Sequence, residues 1–227
     1  MSEKFDSRVF PKIKNIYYRL NKPNERSVAF VAGVQRSGTN MMMDVLERSW
    51  ETDVYHERDE RAFENYQMRD PAVIQELYAK SVCPLFVIKS LCELQDLTRL
   101  MELFSPARTV WVTRNYDDVV NSMLISFKNQ AKQVRALSVD REMGGWWLGK
   151  GMSDETHDVV KCFATDQLDD ASAAALQWYF RSKLFFEQGL EKDSRVLLVK
   201  YEKLVVSPEA EFERIFGFLG LKYSRRV

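Results

Sequence analysis

The most constraining feature of the chain is the stretch VAFVAGVQRSGTNMMMDVLERSW, residues 28–50. Its first five residues are an unbroken apolar run ending at Gly33, the pattern of a strand buried on both faces. Beyond Gly38, Met42, Val45, Leu46 and Ser49 or Trp50 recur at helical spacing, which predicts a helix over about 39–50. A strand that runs through a glycine-bearing turn into a helix points several backbone N–H groups and the positive helix end at one spot. That spot suits an oxyanion. Arg36, Ser37 and Thr39 add a planar cationic fork and two hydroxyls to the same turn. The plainer reading is that Gly33 and Gly38 only permit a tight turn.

Further apolar runs predict three more strands: PLFVIK (84–89), TVWVT (109–113) and RVLLV (195–199). Between them lie helical patterns at 71–81, 93–104, 117–127 and 169–191. A last helix starts at SPEAEFERIFGFLG, with Ser207 as N-cap, Pro208 at the first helical position and acids in the first turn. Strands alternating with helices imply an α/β fold, a parallel sheet with helices on both faces in three αβα layers. The length, 227 residues, fits one domain over 1–227. Ligands of such sheets bind beyond the carboxyl ends of the strands, and Gly33–Asn40, Lys89 and Arg114 all fall at such ends. The least regular segment, 128–170, is too long for a plain connection and is expected to be an insertion on the substrate side, a lid or wall.

Charge narrows the partners. Thirty-three basic side chains balance thirty-three acidic ones, so no global field draws nucleic acid or an anionic membrane, and any anion site is local. Three cysteines without a C-x-x-C pair argue for a reducing compartment. Two histidines, His56 and His157, far apart in sequence, make a histidine-based zinc site improbable, and no metal is expected. The polar N-terminus has no apolar signal core, and no apolar run is long enough to span a membrane. A cytoplasmic protein is the expectation.

Gly33 and Gly38 stand at the spacing of the Walker motif G-x-x-x-x-G-K-[ST]. Thr39, however, replaces its lysine, and Asn40 its magnesium-binding hydroxyl. The string G-x-x-R-S-G-T at 33–39 instead resembles the 5′-phosphosulfate loop of sulfotransferases that use PAPS, 3′-phosphoadenosine 5′-phosphosulfate. TVWVTRNYDDVVNS (109–122) resembles that family's 3′-phosphate motif, and LLVKYEKLVVSPEAEFERIFGFLGL its C-terminal signature. The resemblance implies a P-loop-like sulfotransferase fold and sulfuryl transfer from PAPS to an acceptor hydroxyl, with PAP as product and no metal. The acceptor is carbohydrate, peptidyl tyrosine or a small alcohol or phenol. Gly33, Arg36, Ser37, Gly38, Thr39, Asn40, Arg114 and Ser122 would bind the nucleotide, with Arg36 and Lys89 facing the moving group.

The general base departs from part of the family. The K-x-H histidine of small-molecule sulfotransferases is absent, since Lys89 is followed by Ser90 and Leu91. In protein-tyrosine sulfotransferases a glutamate some twenty residues beyond the loop arginine serves, and Glu57 stands at that distance from Arg36, with His56 as the alternative. Each also has a bland reading: HERDER is a hydrophilic surface turn, and Lys89 a solvated lysine at a strand end. Trp146 and Trp147 are either an acceptor platform or a cap on the core. Trp178 reads as core, Tyr201 and Glu202 as structural, and Arg225 and Arg226 as candidates to cover the 3′-phosphate. Two other functions stay open: a nucleotide or small-molecule kinase with a degenerate loop, needing ATP and magnesium, and a non-catalytic nucleotide-binding protein.

Overall fold

The computed structural model describes residues 10–142 and 146–224. Four strands coincide with the apolar runs: β1 (Ser27–Ala32), β5 (Leu85–Ser90), β6 (Ala107–Thr113) and β7 (Val196–Lys200). A short strand, β2 (Thr52–Tyr55), joins them at one edge, and a two-residue-per-strand hairpin, β3 (Phe63–Glu64) and β4 (Gln67–Met68), stands apart. The main sheet is parallel throughout, in the order β2-β5-β1-β6-β7. Sequence order thus doubles back on either side of β1, so the turns after β1, β5 and β6 open into one crevice at the carboxyl edge.

Both faces of β1 are buried, which is why it reads as continuous apolar sequence. Val28, Phe30 and Ala32 pack with Ile74 of α3 (Pro71–Lys80), with Leu100 and Met101 of α4 (Leu97–Leu103), and with Leu184 and Phe185 of α8 (Asp170–Glu187). Ala29 and Val31 face the other layer, Met42, Met43 and Leu46 of α2 (Thr39–Glu47) with Ile215 and Phe216 of α10 (Pro208–Leu219). Each fully buried side chain of this size contributes about 1.5–3 kcal/mol. The three-layer α/β architecture follows directly from that alternation.

Some elements depart from the sequence reading. α2 ends at Glu47 rather than near residue 50, because side chains take over its last carbonyls. Thr52 Oγ1 donates to Leu46 O at 2.6 Å, and Lys14 Nζ donates to Glu47 O at 3.3 Å. Lys14 belongs to α1 (Phe10–Leu20), a helix the sequence reading left undrawn, and its ammonium also reaches Ser49 O and Thr52 O. The segment 128–170 is not structureless. It carries α6 (Gln130–Val139) and α7 (Asp154–Phe163), which bury Val134, Leu137 and Val160 with Phe180 of α8 in a small core of their own. α5 (Tyr116–Ser126) follows β6, and α9 (Tyr201–Val206) precedes α10 as a separate turn of helix. Ser207 holds the N-cap position of α10 without a side-chain capping bond. Among the described residues, no helix is long and apolar enough to cross a membrane.

Candidate active site

The turn after β1 is built by its glycines. Gly33 has φ +147°, and a Cβ there would lie 2.2 Å from Val112 O of β6. Gly38 has φ +100°, and its Cβ would lie 2.4 Å from the Tyr201 ring. Only glycine lets the turn sit this close to the neighbouring strand and ring. Arg36 itself adopts φ +68°, a left-handed conformation uncommon for a residue with a side chain. That backbone turns the guanidinium across the crevice, where Nε donates to Ser122 Oγ of α5 at 2.8 Å.

Arg114 leaves the end of β6 beside it. Its Nη1 donates to Arg36 O at 3.4 Å, and its guanidinium stacks 4.5 Å from the centre of the Tyr201 ring. Trp178 Nε1 donates to Arg114 O at 3.2 Å, and Glu202 Oε1 accepts the next amide, Asn115 N–H, at 2.7 Å. Tyr201, Glu202 and Trp178, read from sequence as structural or core, therefore fix the backbone and side chain of Arg114. Tyr201 also lines the cavity.

Lys89 is the penultimate residue of β5 and pairs in register with Val31, on the face covered by α2. Its side chain is 1% exposed, so its ammonium must be paired. Nζ lies 2.5 Å from Glu57 Oε2 and donates to Asn40 Oδ1 at the start of α2. Burial pulls the Lys89 pKa below its ordinary value, and the Glu57 carboxylate pulls the other way. Glu57 arrives from the turn after β2, so the edge strand missing from the sequence reading is what delivers it. His56 points elsewhere: Nε2 lies 3.4 Å from Glu47 Oε2, and the ring is not among those lining the cavity. Of the two candidate bases, the cavity receives Glu57.

These groups surround one cavity of about 540 Å³. Arg36, Gly38, Thr39, Asn40, Glu57, Lys89, Arg114 and Ser122 all line it, while Gly33 and Ser37 lie behind its surface. Ser37 Oγ is fully buried and has no hydrogen-bond partner among the described residues. Arg36 of the same turn, contacted by Ser122 of α5 and by Arg114 beyond β6, forms a set that suits an incoming ligand rich in acceptor oxygens. The rest of the lining includes Tyr66, Leu91, Cys92, Phe127, Trp146 and Trp147. Both tryptophans also pack on the α6–α7–α8 core, so the platform and the core cap are one structure. Tyr66, Phe127, Leu91 and Cys92 are lining residues that the sequence does not single out, since none carries a charge or a motif match that marks it as part of a site. Arg225 and Arg226 lie outside the described residues.

Residues 26–227 match the sulfotransferase domain family. The chain belongs to that family. Solved sulfotransferases share the fold. The sulfotransferase domain of the curacin biosynthetic pathway is 14% identical with a TM-score of 0.55, covering 89% of this chain and 77% of its own. A sulfotransferase of Alicyclobacillus acidocaldarius is 13% identical with a TM-score of 0.55, covering 87% and 82%. A mouse sulfotransferase complexed with PAP is 16% identical with a TM-score of 0.51, covering 96% and 68%. No curated protein sequence matches the chain. Family membership supports sulfotransfer as the activity, and the site carries charge, hydroxyls and a carboxylate where that chemistry needs them.

Proposed function

We propose that this sulfotransferase moves a sulfuryl group from PAPS to an acceptor hydroxyl, in line and without a metal ion. The observation that carries the reading is the convergence of Arg36, Lys89, Arg114 and Ser122 with Glu57 on a single cavity, from four separate strand ends and one helix. PAPS supplies an activated sulfuryl group and departs as PAP. Arg114 and Ser122 are assigned to the 3′-phosphate, and the turn amides with Ser37 and Thr39 to the 5′ side. Arg36 and Lys89 place positive charge where negative charge builds during transfer, so they act most strongly at the moment of reaction. Glu57 accepts the proton of the acceptor hydroxyl, and its fixed place against Lys89 supplies the alignment that in-line attack requires. The 128–170 segment, part of the same domain, forms the acceptor-side wall through Trp146 and Trp147.

Titration calorimetry with PAP, 5′-AMP and ATP–Mg²⁺ tests the reading. PAP is expected to bind without metal and far more tightly than 5′-AMP, and Arg114→Ala is expected to cost about 10–100-fold in PAP affinity, the worth of charge-assisted hydrogen bonds. Equal affinity for PAP and 5′-AMP would overturn PAPS as the donor and the assignment of Arg114 and Ser122 to a 3′-phosphate, and tighter binding of ATP–Mg²⁺ would overturn metal-independent use of PAPS.

A further inference from the structure

The β3–β4 hairpin pairs Phe63 with Met68 and Glu64 with Gln67, leaving Asn65 and Tyr66 as its two-residue turn. Both have positive φ, +50° and +64°, the geometry of a type I′ turn. Asparagine suits the first of those positions. The second favours glycine, and a residue with a bulky ring there is a genuine conformational outlier. Nothing in packing compensates, since Tyr66 is 59% exposed. The surroundings hold the strained turn in place. Cys92 Sγ donates to Tyr66 O at 3.4 Å, and Met68 N–H donates to Glu93 Oε1 at 2.7 Å. Both anchors belong to the segment that leaves β5 after Ser90.

An over-determined outlier whose side chain does not stabilise the fold points to use of that side chain. Tyr66 lines the same cavity as Lys89 and Glu57, and so do Leu91, Phe127 and Trp147. Tyr66 therefore borders a space lined both by the polar transfer groups and by the apolar side chains of Leu91, Phe127 and Trp147. We propose that Tyr66 is an acceptor-binding residue that selects a molecule presenting a flat apolar ring face beside its hydroxyl. The proposal rests on the sulfotransfer reading of the cavity. The flat face is that of an aromatic alcohol or the C–H face of a sugar ring, both of which stack on tyrosine.

Tyr66→Gly separates the roles of backbone and ring. Relief of the turn is expected to leave the melting temperature unchanged or raise it by roughly 2–4 °C. Affinity for the ring-bearing probe that binds, 2-naphthol or methyl β-glucoside, titrated with and without saturating PAP, is expected to fall at least about tenfold, as loss of a stacked aromatic implies. Tyr66→Phe keeps the ring and is expected to retain the affinity, and PAP affinity is expected to be the same in all three proteins. The probe that responds identifies the source of the flat face. A lower melting temperature in Tyr66→Gly would make the ring structural and overturn the proposal. So would equal probe affinity in wild type and variant, absence of binding of both probes to wild type, or a parallel loss of PAP affinity. If wild type does not bind PAP yet probe binding still depends on Tyr66, the nucleotide reading fails and the assignment of Tyr66 stands.

Discussion

The two sides of the cavity are made in different ways. The side proposed for the nucleotide consists of turns at the ends of central strands, β1 and β6, with α5 and α9 locking Arg36 and Arg114 from outside. The side proposed for the acceptor consists of the six-residue hairpin Phe63–Met68, of Leu91 and Cys92 just beyond β5, and of Trp146–Trp147 from the segment between α6 and α7. The first side inherits its rigidity from a sheet buried on both faces. The second borrows it from local contacts, Cys92 with Tyr66, Glu93 with Met68, and the buried Arg181 guanidinium beneath Trp147 at 5.2 Å. A fold that separates its parts in this way can hold one ligand constant and vary the other, since changing a loop leaves the sheet intact.

Glu57 and Lys89 sit at the seam, and the sharpest attack on the comparison is Glu57→Gln. Turnover on the acceptor used by wild type is expected to fall about 10²–10⁴-fold, the usual contribution of a general base, while PAP affinity by calorimetry stays within about threefold. A comparable loss of PAP affinity would mean that the two sides are not separable. Gly38→Ala strikes the nucleotide side alone. The added methyl meets the Tyr201 ring in a left-handed backbone, so unfolding free energy is expected to drop by about 2–4 kcal/mol in urea denaturation, with PAP affinity falling alongside. Unchanged stability would show that Tyr201 yields freely and that Arg114 is not fixed by it.

The smallest effect belongs to the acceptor side and is read in pH. Burial pushes the Glu93 carboxyl up from 4.5 to about 7. Between those values the folded protein holds a proton that the unfolded chain has released, so stability falls as pH rises through this window and levels off above it. Glu93→Gln cannot titrate, and its stability curve is expected to be flatter from pH 5 to 7, with an advantage of about 1–3 kcal/mol over wild type emerging by pH 8. Parallel curves for the two proteins would remove Glu93 as the group whose burial is strained.

The same asymmetry decides what could be read from sequence. β1, β5 and β6 announce themselves because burial on both faces writes them as apolar runs, and β7 does so as the run RVLLV although it lies half-exposed at the sheet edge. Arg36, Lys89 and Arg114 could be placed together from sequence because they fall at the ends of those runs, and Ser122 because it lies two helical turns beyond Arg114. β2 was not, since TDVY is four residues at a sheet edge with two polar members, and Glu57 was found only by its distance from Arg36. The β3–β4 hairpin has two residues per strand and an Asn-Tyr turn in place of Asn-Gly, so neither its pattern nor its turn chemistry signals it. α6 and α7 were hidden in a polar stretch because their apolar faces meet α8, a partner some thirty residues away, and each other, rather than the main core.

Lys89 carries a last consequence. A Walker lysine travels with its loop, so whatever opens the loop also withdraws the charge. Here the ammonium is anchored in the sheet, pinned by Asn40 and Glu57 and closed to solvent. In the proposed reaction the charge of Lys89 would therefore not depend on the turn at 33–38. A donor arriving in that reaction would meet a cation already in position, with no charge to be moved before transfer.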